Sequence, residues 1–342
     1  MDYDDALTSR VKELALACGF ARVGVASAGP VEHAETFRAW LGAGYHADMA
    51  WLEENVEMRL HPASILDGAQ SVICLAASYA PGGDEPQTDA LIARYARGRD
   101  YHKVLKKRAH ALCDRLREIT PSFVGRAFVD AAPLAERSLA AAAGLGWIGR
   151  NGSLIVPGLG SYVLLAEIVC NLPLRPDEPR SGGCGDCRKC FAACPTGAIV
   201  VEHTIDTRRC LSYQTIENRG DIPANLWPSL GGCVFGCDAC QAICPHNRRV
   251  AAGDAELIAP AEARPLTLQS ILAWTEADWD RATRGRALRR AEYRTFLRNA
   301  ILAAGNSGDS SLLPLLELHQ ANETLQPYVA WARKQLQAES GQ

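Results

Sequence analysis

The pattern of hydrophobic and polar positions predicts a first part that mixes strands with helices. Apolar runs typical of strands lie at 20–27, 71–78, 123–130, 153–156 and 161–169. Amphipathic stretches typical of helices lie at 3–18, 104–119 and 133–143, the last opened by a proline. Such a mixture predicts an α/β layered domain.

The remainder of the chain changes character twice. A proline-rich stretch at 172–183 leads into a cysteine-rich segment, and a second linker-like stretch covers 248–265. Residues 266–338 then show only helical periodicity, with breaks at Gly305–Gly308 and at Asn322. We therefore predict a multidomain α+β and α/β protein. Its three predicted domains are 1–177 (α/β), 178–250 (cysteine-rich, ferredoxin-like) and 264–340 (all-α).

Composition excludes several classes of protein. With 342 residues, 48% hydrophobic and 22% charged, the chain resembles an ordinary globular protein of about two domains. Its longest apolar run, Tyr162 to Cys170, contains Glu167 and is far too short to span a membrane. The acidic N-terminus does not resemble a secretory signal. We expect a cytoplasmic location and no membrane partner. The net charge of −3 confines any nucleic-acid surface to a local patch.

Cysteine is the informative residue type. Nine of the 13 cysteines fall between Cys184 and Cys244, and the other four are scattered singly, as expected for small buried side chains. Because no export signal is visible, disulfides are not expected. A dense cysteine cluster in such a chain indicates a metal site.

The cysteine spacing is that of bacterial two-cluster ferredoxins. A first set comprises Cys184, Cys187, Cys190 and Cys194, and a second comprises Cys237, Cys240 and Cys244; the last cysteine of each set precedes a proline. In such motifs the cysteine before the proline ligates the other cluster. Crossing the sets gives one [4Fe–4S] cluster on Cys184, Cys187, Cys190 and Cys244. The other takes Cys194, Cys237 and Cys240, and spacing alone leaves Cys210 and Cys233 as competitors for its fourth position.

Zinc is the alternative occupant. Zinc sites usually use paired C-x2-C knuckles, whereas here three cysteines follow one another before a Cys-Pro. We therefore expect iron–sulfur clusters, and two clusters indicate electron transfer.

Three further segments carry candidate chemistry. Gly144 to Gly149 match the dinucleotide fingerprint, but they follow a predicted helix and open a strand, which is the wrong context. A turn approaching a large flat cofactor and a plain helix C-cap are both compatible with them. Asp130 ends a predicted strand and is either a general acid or a capping carboxylate. Residues 95–103 form either a polar pocket or a solvated loop.

A basic patch occupies the C-terminal part. Residues 281–298 hold seven arginines and one acid, a net charge of +6. Arg286, Arg290 and Arg294 lie four apart, which predicts one helical face. Arginine without lysine favours binding of phosphate over mere solubility. Tyr293 and Phe296 fit core positions better than stacking platforms.

Taken together, these motifs resemble one known family. The segments VDAAPLAERSLAAAAGLGWIGRNGSLI, CGDCRKCFAACPTGAI, CLSYQTIE, GCDACQAICPHN and RNAILAAGNSGD resemble epoxyqueuosine reductase, in the expected order along nearly the whole chain. The resemblance implies cobalamin, two [4Fe–4S] clusters and a C-terminal domain of HEAT-like helical repeats. It also implies reduction of the epoxide of epoxyqueuosine, at the wobble position of tRNA, to queuosine.

The resemblance implies roles for individual residues. Asp130 matches the family's proton donor, and Cys210 becomes the fourth ligand of the second cluster, leaving Cys233 as a spare thiol. Residues resembling the cobalamin pocket are Tyr95, Asp100, Tyr101, His102, Arg150 and Ser212. Residues expected on the RNA side are Arg219, Arg286, Arg289, Arg290, Arg294 and Arg298. His246 departs from the family, which usually has tryptophan there. We expect the protein to be a monomer. Its expected partners are an anticodon stem-loop of tRNA and an external low-potential electron donor.

The implied chemistry sets requirements. Removing an epoxide oxygen to leave an alkene needs two electrons and two protons, and a neutral Asp130 with a raised pKa could supply one proton. Two alternatives remain: a reductive dehalogenase with the same cofactors, and a non-catalytic iron–sulfur electron carrier. The arginine-rich tail has no evident use in a dehalogenase.

Overall fold

The computed structural model describes residues 3–82, 88–260 and 265–339. Its helices are α1 Asp5–Ala17, α2 Ala34–Gly42, α3 Val56–Leu60, α4 Tyr101–Ile119, α5 Glu136–Ala142, α6 Lys189–Ala193, α7 Leu211–Ile216, α8 Ala239–Ala242, α9 Leu268–Leu272, α10 Glu276–Thr283, α11 Tyr293–Gly305, α12 Leu313–Glu317 and α13 Gln326–Glu339. Its strands are β1 Arg22–Ser27, β2 Ser71–Ser78, β3 Leu91–Ile92, β4 Gly125–Phe128, β5 Trp147–Ile148, β6 Leu154–Ile155, β7 Val163–Cys170, β8 Ile199–Val201, β9 Thr204–Ile205 and β10 Cys233–Phe235. The predicted domain limits at 1, 264 and 340 lie outside the described residues.

A four-stranded sheet in the order β1-β2-β7-β4 forms the centre of the first part. All three neighbouring pairs are antiparallel, and β2 pairs with β7 along its full length. Alternate residues of β2 belong to two separate buried clusters: Ile73 and Leu75 pack with α4, whereas Val72 and Cys74 pack with α5. The sheet is therefore covered by helices on both faces, which confirms the mixed α and β prediction.

One hydrophobic core runs through all three predicted parts. Leu105 of α4, Phe235 of β10 and Phe296 of α11 are buried in the same cluster. The cysteine-rich segment and the C-terminal helices are therefore packed directly on the first part.

The C-terminal part is helical, as predicted. Helix α11 is buried along nearly its whole length and ends at Gly305, where the sequence predicts a break. Residues Ala287–Arg290 form a separate short 3-10 helix, and α11 begins only at Tyr293. The prediction that Arg286, Arg290 and Arg294 share one helical face is therefore wrong, because extended backbone at Ala291 interrupts the helix.

The glycine-rich segment after α5 is a helix C-cap. Gly144 has a φ of +70°, and the amide of Leu145 donates to the carbonyl of Ala140 at 3.1 Å. A Cβ on Gly146 would lie 1.9 Å from the carbonyl oxygen of Ile155, so only glycine fits there. This geometry confirms that the segment is not a dinucleotide-binding turn.

Within the part of the chain that the structure describes, no helix has the length and apolar character needed to cross a bilayer.

Candidate active site and cluster centres

Asp130 lies two residues beyond β4 in an uncommon conformation. Its φ is +50°, in the left-handed region that residues other than glycine rarely adopt. Its side chain is 59% exposed. Strained backbone of this kind is concentrated at functional sites, where the surrounding structure holds it in place. The outlier marks Asp130 as a candidate for chemistry.

The start of α4 provides the partners of this carboxylate. Asp100 caps the helix by accepting from the backbone amide of His102 at 3.1 Å. The Tyr101 hydroxyl donates to Asp130 Oδ2 at 2.5 Å. The ring of His102 stacks on that of Tyr101 and lies between two carboxylates, with Nδ1 2.8 Å from Asp100 Oδ1 and Nε2 3.6 Å from Asp130 Oδ2.

These contacts decide where the proton resides. Loss of solvation works to raise the pKa of Asp130, but hydrogen bonds from His102 and Tyr101 outweigh it, and the pKa lies below its ordinary value. The contact with Asp130, followed by that with Asp100, raises the pKa of His102 despite burial. The two shifts favour an ionised Asp130 beside a protonated His102 in the protein without its cofactor, and the neutral Asp130 expected beside a bound macrocycle stays a prediction.

Arg290 adds positive charge at the edge of this group. Its guanidinium pairs with Glu217, with Nη2 2.7 Å from Oε2, and its charge helps to lower the pKa of Asp130. Tyr95 packs edge-on against Tyr101, with ring centroids 5.9 Å apart. Ser212, in α7, is partly exposed.

Asp130 and Arg137 interact electrostatically next to the start of α4. Both residues are exposed, yet loss of solvation is the largest influence on the pKa of each. Exposure together with a large loss of solvation is expected for a side chain that water reaches from one side while protein surrounds it on the others. Together with Tyr101 and His102, these residues offer a carboxylate, a guanidinium, a phenol and an imidazole. This donor set fits a large cofactor bordered by amide groups.

Behind Asp130 lies a pair of carboxyl groups that the sequence analysis missed. The backbone amide of Asp130 donates to Glu136 Oε1 at 2.9 Å. Glu167, in the middle of β7, is fully buried beside Glu136. A glutamate inside an apolar strand was the available signal.

Four cysteines line one cavity. They are Cys184, Cys187, Cys190 and Cys244, which are the residues expected to ligate the first cluster. Burial, and then the neighbouring thiols of Cys184 and Cys187, raise the pKa of Cys244. The cavity is also lined by Arg150, Asn151 and His246. A cavity lined by four thiols fits a thiolate-bound cluster.

A second group of cysteines lies next to it. Burial, and then the thiols of Cys237, Cys210 and Cys194, raise the pKa of Cys240 to about 12. Cys233 is buried, and its thiol hydrogen-bonds to that of Cys237. The structure thus places both competitors for the fourth position beside Cys237, and it places Cys210 beside Cys194 as well. Among the described residues, no three ligand-type side chains meet as they would around a single metal ion.

Asn151 joins the two groups. Its Oδ1 accepts from the amide of Ser153 at 3.2 Å, which fixes the orientation of the side chain. Its buried Nδ2 has no hydrogen-bond acceptor of ordinary geometry among the described residues. It nevertheless lies close enough to the Cys240 thiol to lower the pKa of that thiol. A buried N–H without a partner fits a cluster sulfur as acceptor.

Arg150 belongs to the cluster region and not to the group around Asp130. It donates to the carbonyl of Gly185 at 2.5 Å and lies 3.0 Å from a carboxylate oxygen of Glu202. His246 packs edge-on against Trp147, with centroids 5.3 Å apart.

Most of the arginines expected on the RNA side are already engaged. Arg289 pairs with Asp280, and Arg219 donates to the backbone of Ile216 and Arg290. Arg286 and Arg294 are at least partly exposed and have no ion pair among the described residues.

Arg298 is not on the surface. It is 4% exposed and donates to the backbone carbonyls of Gln214, Asn218 and Gly220. The prediction of an RNA contact is therefore wrong for this residue, because its guanidinium joins α11 to α7 and the loop that follows α7.

Comparison with known proteins identifies the family. Residues 59–131 match the family described as "Epoxyqueuosine reductase QueG, DUF1730", and residues 183–247 match a 4Fe-4S double cluster binding domain. The chain is 37% identical to the epoxyqueuosine reductase of Xanthomonas campestris over 338 residues, which cover 96% of this chain and 95% of that one. The chain belongs to the epoxyqueuosine reductase family. The Escherichia coli epoxyqueuosine reductase is also 37% identical, over 95% of this chain and 88% of its own.

Solved epoxyqueuosine reductases share the fold. A structure with an epoxyqueuosine-modified tRNA-Tyr stem loop matches with a TM-score of 0.89 at 29% identity, covering 97% of this chain and 90% of that one. A Bacillus subtilis epoxyqueuosine reductase, with its aspartate catalytic loop swung out of the active site, matches with a TM-score of 0.88 at 28% identity, with the same coverage.

Proposed function

We propose that this protein reduces the epoxide of epoxyqueuosine in tRNA to the alkene of queuosine. The observation that carries the proposal is the similarity along nearly the whole chain to epoxyqueuosine reductases, including one solved with a modified tRNA stem loop. The strained Asp130 and its hydrogen-bonded partners give that activity a candidate centre.

Two [4Fe–4S] clusters would be held by the two cysteine groups. The first takes Cys184, Cys187, Cys190 and Cys244, and the second takes Cys194, Cys210, Cys237 and Cys240. The double-cluster match over residues 183–247 supports this assignment. Because the groups adjoin at Asn151, electrons from an external low-potential donor could pass from one cluster to the other.

Cobalamin would occupy the space beside Asp130. When bound and reduced, it would supply the electrons that act on the epoxide. Tyr95, Tyr101, His102 and Asp100 would hold its rim on one side. Ser212 would face it from α7, and Arg150 would lie toward the first cluster.

Asp130 would deliver a proton to the oxygen released from the epoxide. The resting carboxylate is ionised, so it must first take up a proton. The imidazolium of His102, with Nε2 3.6 Å from Asp130 Oδ2, is the nearest store, and Asp100 holds that ring by its other nitrogen. The swung-out catalytic loop of the Bacillus subtilis relative suggests that the Asp130 loop leaves and re-enters the site.

The anticodon stem would bind across the C-terminal part. The helices of this part would form the HEAT-like repeats that the sequence resemblance implies. Arg286 and Arg294 are the residues free to contact phosphates, with Arg219, Arg289 and Arg290 beside them. Phosphate contacts position a nucleic acid, whereas the base must be recognised beside Asp130. We propose a cytoplasmic monomer with domains at 1–177, 178–250 and 264–340.

Anaerobic purification followed by metal analysis and a turnover assay tests the proposal. We expect about eight iron atoms and one cobalt per chain, together with conversion of an epoxyqueuosine-bearing stem loop by the reduced enzyme. Stoichiometric zinc without iron, or a loaded enzyme that leaves the epoxide intact, would refute it.

A further inference from the structure

A fully buried carboxyl group lies behind the catalytic loop. Glu167 is 0% exposed, and no N–H or hydroxyl donor among the described residues reaches either of its carboxylate oxygens. A buried carboxylate without a donor is very costly. Glu167 must therefore carry a proton. Its neighbour Glu136 is placed to accept a hydrogen bond from the protonated carboxyl group.

Glu136 connects this buried group to the loop. As the first residue of α5, it accepts the backbone N–H of Asp130 at 2.9 Å on Oε1. Asp130 is also the residue with the left-handed φ of +50°. The strained conformation is thus fixed from behind by Glu136, and Glu136 is in turn held by Glu167.

We propose that Glu136 and Glu167 form a latch that holds the Asp130 loop inside the active site and releases it as Glu136 ionises. The inference rests on the proposed function in assigning catalysis to Asp130. Both glutamates are positioning residues, because they act through the backbone of Asp130.

The charges around the latch determine how it responds to pH. Asp130 faces Glu136 from the loop, Arg137 from α5 and Arg59 from α3, while Tyr101 of α4 and Cys74 of β2 complete the surroundings. Arg59 also donates to the carbonyl of Leu134, within the same loop. Burial, and then the negative charge of Asp130, raise the pKa of Glu136 to about 7.

The sign follows from linkage. When the loop leaves, Glu136 gains solvent and loses the charge of Asp130; these two changes lower its pKa by more than the loss of the Asp130 N–H bond raises it, so the pKa falls toward the ordinary value. The closed state therefore binds a proton more tightly than the open state. Closure is favoured most below the open-state pKa, near the ordinary value of 4.5, weakens as the pH rises from there, and loses this contribution above about pH 7. Burial, and then the charge of Glu136, raise the pKa of Glu167 well above its ordinary value, and its complete burial without a donor favours the protonated form.

Hydrogen exchange of the 129–135 backbone in the anaerobically purified full-length protein tests the latch. Glu167→Leu removes the buried donor, and exchange, corrected for intrinsic rate, should speed up by about tenfold or more. Glu167→Gln keeps a donor and should behave like the parent. Ser71→Ala, a buried change on the same sheet, is the matched control and should leave this segment unchanged.

The pH series supplies the second reading. Protection of the parent should decrease between about pH 5 and 7 and level off above that, whereas Glu136→Gln, which cannot ionise, should show no such decrease. Parent-like exchange in Glu167→Leu, equal loss in Glu167→Gln, or an unchanged pH response in Glu136→Gln would overturn the latch. Because exchange needs no substrate, an inactive protein with the expected exchange pattern would refute the proposed function alone.

Discussion

Replacing Arg298 should destabilise the protein without directly weakening tRNA binding. The guanidinium makes hydrogen bonds to three backbone carbonyls and to the side chain of Asn299. Burial lowers its pKa to about 10, which still leaves it a cation at neutral pH. Each bond from a charged donor contributes about 1.5–3 kcal/mol, and its loss leaves a buried carbonyl unsatisfied.

Methionine has a similar length and removes the cost of burying a charge, which offsets part of the loss. We therefore expect Arg298→Met to lower the free energy of unfolding by about 3–5 kcal/mol. At roughly 2 °C per kcal/mol for a protein of this size, the Tm should drop by about 6–10 °C.

The assay compares urea unfolding with tRNA affinity in the same preparations. Arg294→Gln is the matched control, since its side chain is exposed and has no ion pair among the described residues. That control should unfold within about 0.5 kcal/mol of the parent but bind tRNA more weakly. Arg298→Met with parental stability and reduced tRNA affinity would refute this structural role.

Three further predictions concern the catalytic acid, the clusters and the RNA surface. Asp130→Asn keeps the shape but not the transferable proton, so single turnover of the pre-reduced enzyme should fall by about 10²–10⁴-fold with iron and cobalt content unchanged; near-parental turnover would exclude the role. Cys210→Ala should lose or convert the second cluster in electron paramagnetic resonance spectra, whereas Cys233→Ala should keep both clusters; the opposite result would exchange their roles. Changing Arg286 and Arg294 together to Gln should weaken different tRNAs about equally and flatten the dependence of affinity on salt by up to about 0.9 per lost contact; an unchanged slope would indicate a merely solvated surface.

Local sequence pattern was sufficient where the hydrophobic pattern of an element alone decides its limits. The apolar run at 71–78 predicted β2 with its observed limits, because a strand buried on both sides has no polar alternation to blur its ends. Glycine after an alanine-rich helix was compatible with the cap seen at Gly144, although the sequence also allowed a turn that approaches a cofactor.

What the sequence could not provide depends on distant partners. In the sequence, Arg298 cannot be distinguished from the exposed arginines near it. Its burial depends on backbone carbonyls in and after α7, about 80 positions away in the chain. The protonation state of Asp130 depends on His102, which reaches it only after the chain folds. Arg290 and Arg294 fall into different helices because Ala291 and Glu292 between them are extended, which periodicity alone does not reveal.

The central claim is tested most directly by the fate of one oxygen atom. Reduced, fully loaded protein should be incubated without oxygen with a tRNA stem loop carrying epoxyqueuosine, and its nucleosides should then be separated and weighed by mass spectrometry. The account predicts a nucleoside that is lighter by one oxygen and identical to queuosine, formed by the parent and almost not at all by Asp130→Asn at equal cofactor content. An unchanged epoxide with the fully loaded parent, or equal conversion by both proteins, would contradict it.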